Sequence, residues 1–105
     1  MHKLGIAALF TFLTLFLATQ ALSHTPLLDC WDNGDGTITC EGGFSDGGSA
    51  EGTAVYLQDA EGDKILQEKM DQDSQFTFDQ PDEDYTVVLD AGKGHQVKVK
   101  GDEIY

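Results

Sequence analysis

Two histidines and two cysteines hold most of the chemistry open to this chain. Past residue 23 the histidines are His24 and His95, and the cysteines are Cys30 and Cys40. Imidazole nitrogens suit copper(II), nickel(II), cobalt or zinc better than calcium. A histidine at a free chain start offers two donors, its α-amine and a ring nitrogen, which chelate one ion. With His95 as a second imidazole this makes a three-nitrogen site. Pro26 has no amide proton, so a motif that deprotonates backbone amides ahead of a third-position histidine is excluded. A chelate through amine and ring needs no such amide. The structural alternatives are a loose terminal His24 and a hydrogen-bonded His95 at a strand edge.

The cysteines flank Asn33-Gly34-Asp35-Gly36, a turn written in residues that tolerate positive φ. They lie five positions to either side of Asp35, so a hairpin centred there sets them face to face. A disulfide is expected. Residues two apart share a strand face, which puts Leu28, Cys30, Ile38 and Cys40 on the buried side and Trp31 on the other. The run also invites a calcium test. An EF-hand loop needs oxygen ligands at its first, third and fifth positions and glycine at the sixth. Counting back from Gly36 puts Trp31 first, and from Gly34 puts it third, so the pattern fails.

His24 can open the chain only if what precedes it is removed. Met1-His2-Lys3 is a basic start, and Leu4 to Ala18 is an apolar run of fifteen residues. That is short of the roughly 20 a spanning helix needs and fits a secretory signal peptide over residues 1–23. Ala21 and Ser23 supply the small positions for cleavage, after Ser23 or, as the alternative, after Ala21. The expected product is residues 24–105, one domain, periplasmic or secreted, with no membrane span after cleavage and an oxidising environment for its cysteines.

This product carries five lysines, no arginine and nineteen acidic residues, a net charge of −14. Such a surface repels nucleic acid, whose phosphates need Lys and Arg, and concentrates cations. No nucleophile elbow or phosphate-cradling glycine loop is present, and no enzyme is expected.

The elements that must position these residues are strands. Val55 and Leu57, Phe76 and Phe78, then Tyr85, Val87 and Leu89 alternate with polar residues, the period of two that marks a half-buried strand. Asp/Gly/Ser/Pro clusters separate them. Lys64 to Lys69 is a further strand with Ile65 or Leu66 inward. His95 to Lys100 is the last, with Val97 and Val99 inward and His95 at the inward edge of its start. Phe44 is expected to pin a glycine-rich connection to the core, or to form an outer patch with Trp31. The expected fold is an all-β, seven-stranded antiparallel Greek-key sandwich with one disulfide.

From Gly52 to Gly92 the chain resembles the carboxypeptidase regulatory-like, or transthyretin-like, domain. Gly52, Val55, Asp59, Gly62, Phe76, Tyr85 and Val87 match that family's strand-and-turn pattern, and Ser74 stands where the family often has glycine. The resemblance implies a Greek-key sandwich and no catalytic residues. His24 and Gly94-His95-Gln96-Val97 are similar to residues of small periplasmic proteins that accompany nickel or cobalt uptake systems. That likeness implies an exported accessory of nickel or cobalt handling; with the donor chemistry above, the expectation is a non-enzymatic protein binding nickel, cobalt or copper through His24 and His95, with a membrane transporter or another exported protein as partner. The alternative is an interaction module that binds a protein or glycan.

Overall fold

The computed structural model describes residues 24–105; the expected signal peptide, residues 1–23, lies outside them. The described chain forms seven strands: β1 (Pro26–Asp32), β2 (Thr37–Phe44), β3 (Ala54–Asp59), β4 (Lys64–Lys69), β5 (Gln75–Asp79), β6 (Tyr85–Asp90) and β7 (Gln96–Lys100). A single 3-10 turn, Gly101–Glu103, follows. The strands make two antiparallel sheets, ordered β1-β2-β5 and β4-β3-β6-β7. The chain changes sheet after β2, after β4 and after β5, which makes this a Greek-key sandwich.

The turns explain much of the acidity. Asp32 Oδ1 accepts the Gly34 amide, and Asp35 Oδ1 accepts the amide and hydroxyl of Thr37. Asp59 takes the amides of Glu61 and Asp63, Asp71 those of Asp73 and Gln75, and Asp90 that of Gly92. A short carboxylate bonded to its own backbone two residues on is a turn-former. These aspartates therefore set strand boundaries first and surface charge second.

The β1–β2 ladder is centred on Asp35 and pairs Cys30 with Cys40, which form the disulfide. Both are buried in a core they share with Ile38, Phe76 and Phe78 on one sheet and Val55, Leu57, Val87 and Leu89 on the other. Burying a side chain of this size contributes about 1.5–3 kcal/mol. Phe44 belongs to this core at 8 % exposure, so the outer patch with Trp31 does not form.

At the sheet edges one open alternative is resolved and one expectation changes. Every residue of β4 is exposed. Its register sets Leu66 opposite Leu57 on the inward face, while Ile65 points out. β4 is an edge strand with a register shift at Leu57/Gln58, and Met70, just beyond it, is buried instead. His95 is not at the inward edge of β7. The turn closes by Ala91 N–H donating to the His95 carbonyl and His95 N–H donating to the Gly92 carbonyl; β7 begins only at Gln96, and His95 lies in the turn, exposed.

Candidate metal centre

The hairpin register that joins the cysteines also builds the surroundings of His24. Pro26 pairs with Phe44. One residue further out, Ser45 N–H donates to the Thr25 carbonyl at 2.8 Å and Thr25 N–H donates to Ser45 Oγ at 3.0 Å. The ladder therefore runs past the end of β1 and sets His24 across from Asp46. The same symmetry about Asp35 relates the two residues as relates the cysteines, and this signal was readable in the sequence.

His24 is held on two sides. Its ring stacks on Phe44 with centroids 4.2 Å apart and planes 10° from parallel. Its Nδ1 lies 2.9 Å from Asp46 Oδ2. The other carboxylate oxygen, Oδ1, accepts the Gly48 amide at 2.9 Å. That turn is closed by Gly47 N–H donating to Phe44 and Phe44 N–H donating to Gly48, with Gly47 at φ +87°, a conformation that favours glycine. The hydrogen bond from His24, then the amide of Gly48, hold the Asp46 carboxyl below its ordinary range. Both side chains remain open to solvent, 55 % and 37 % exposed.

His95 stands apart from this pair. It is exposed in the β6–β7 turn, and among the described residues no three His, Cys, Asp or Glu side chains are grouped to hold a metal. The structure thus brings His24 to Asp46 and leaves His95 outside. Cys30 and Cys40 are consumed in the disulfide. Among the described residues no helix is long and apolar enough to cross a membrane. Set against protein-family models, curated proteins and solved structures, the chain matches none.

Chemically the pair offers one imidazole nitrogen and one carboxylate oxygen side by side. Two ligands at right angles, each about 2.1 Å from an ion, stand about 3 Å apart. As the pair stands, the His24 Nδ1–H donates to Asp46 Oδ2, and an ion held by both atoms would take the place of that proton. A chain that began at His24 would add its α-amine to the same ring.

Proposed function

We propose that this is an exported, non-enzymatic protein that binds one divalent transition ion (nickel, cobalt or copper) at His24 and Asp46. It serves as a periplasmic accessory of metal uptake or homeostasis. The observation that carries the reading is the fixing of an exposed histidine by a ring stack and a carboxylate. A loose chain end has no such hold. Cleavage after Ser23 frees the amine, so amine, Nδ1 and Asp46 Oδ2 supply three donors from one corner of the sandwich. The acidic surface raises the local concentration of cations.

The test begins with mass spectrometry of the exported protein, followed by nickel(II) and copper(II) titration by calorimetry. The expected result is a chain starting at His24 that binds one ion. Asp46→Asn weakens binding by about tenfold or more, one alanine placed before His24 abolishes it, and His95→Ala leaves it unchanged. Equal affinity in the Asp46→Asn and extended proteins would show only diffuse attraction to an acidic surface, and the proposal would fall.

A further inference from the structure

A groove of about 610 Å³ runs along β1, where the edge of the three-stranded sheet meets β7. Leu27, Leu28, Trp31 and Val97 give it apolar surface, and Asp29 and Glu41 stand among them. Gly43, opposite Leu27, leaves part of its β2 side without a side chain. Leu27 is 52 % exposed, and Trp31 is half-buried. Leu27, Asp29 and Trp31 alternate along β1 and so share one face.

The two carboxylates are out of place by every local rule. Asp29 and Glu41 lie within strands, where carboxylates are depleted. They are direct cross-strand partners, an arrangement in which like charges repel. Neither makes a turn. Asp29 accepts the Tyr105 hydroxyl and Glu41 accepts the Gln75 amide, both neutral donors that leave the charges uncompensated. Among the described residues the one ion pair is His24–Asp46.

The charge around them is segregated. Residues 24–53 and 70–84, which build the three-stranded sheet and its loops, hold twelve acidic residues and no lysine. Residues 54–69 and 85–105, which build the other sheet, hold seven acidic residues and all five lysines. One sheet is thus nearly neutral and the other strongly negative, and the groove lies along the edge of the negative one where it meets β7.

We infer that this groove docks an extended, lysine- or arginine-bearing segment of a partner protein. Its cations sit between Asp29 and Glu41, and its apolar side chains lie on Leu27 and Trp31. Charge complementarity sets the choice of occupant: a cationic segment relieves the Asp29–Glu41 repulsion, whereas an acidic one adds to it. An extended segment also suits the alternation of apolar and acidic positions along β1. The inference does not depend on metal at His24.

Trp31 is the only tryptophan, so its fluorescence reports on the groove directly. The exported protein is titrated with short blocked peptides of alternating Lys-Leu, Lys-Ser and Glu-Leu. The expected result is saturable change in Trp31 emission with Lys-Leu and much weaker change with the others. The double variant Asp29→Asn, Glu41→Gln loses about tenfold or more in affinity, and Leu27→Ser loses affinity as well. A control with the same charge removed from the β3–β4 turn, Glu61→Gln with Asp63→Asn, keeps its affinity. Far-ultraviolet circular dichroism checks that each variant is folded. Equal losses in the two double variants, equal binding of Lys-Ser or Glu-Leu, or no binding of Lys-Leu would each overturn the inference. So would sedimentation showing that a second copy of the chain fills the groove.

Discussion

Tyr85 takes a hydroxyl into the sandwich and gives it no partner. The residue is 8 % exposed, its ring meets Phe78 edge-on at 5.8 Å, and its Oη is buried without a hydrogen bond. Burial, then the negative charge of Asp32, push its phenol above the ordinary value. An unsatisfied buried hydroxyl costs about 1–3 kcal/mol. Tyr85→Phe is therefore expected to leave stability unchanged or raise it by about 1 kcal/mol, measured by urea unfolding. A clear loss would mean that the hydroxyl is satisfied. Ser74 shows the opposite balance. It sits at φ +59°, where glycine is at ease, yet its Oγ accepts the Ala50 amide and bonds the Ser49 hydroxyl. Ser74 thus ties the β4–β5 turn to the β2–β3 connection.

At the scale of elements, the β1–β2 hairpin matters most, because one register sets the disulfide, the His24–Asp46 pair and the Asp29–Glu41 pair. The bridge spans a sequence separation of 10, and closing a loop of that size in the unfolded chain stabilises by roughly 3 kcal/mol. Replacing Cys30 and Cys40 together by alanine is expected to cost about 2–4 kcal/mol, read from the urea midpoint. If His24 and Asp46 bind nickel as proposed, the change also weakens that binding, since the far end of the same ladder positions His24. If stability falls while nickel affinity holds, the hairpin register survives without the bridge.

On the scale of the whole molecule, a net charge of −14 on residues 24–105 repels itself. Added sodium chloride screens that repulsion. The melting temperature is expected to rise by several degrees, roughly 4 °C or more, between low and near-molar salt. A flat response would mean that the charges are already balanced locally. Such balance is not what the segregation of lysines onto one sheet would produce.

Strands, turns and the hairpin were legible in the sequence because each is a short-range pattern. Alternation declares a half-buried strand, an Asp or Gly cluster ends it, and symmetry about Asp35 pairs Cys30 with Cys40. What tertiary structure alone decided is non-local. It chose which strands lie at the edges, and so left β4 exposed and Leu66 only part-covered although the alternation there looked ordinary. It turned Phe44 inward beneath His24, and it placed His95 in the exposed turn before β7. It also gathered the lysine-free segments, far apart in the chain, onto one sheet. Sequence spacing fixes which residues share a face, whereas the partner of that face depends on how separate segments bury their apolar sides against each other.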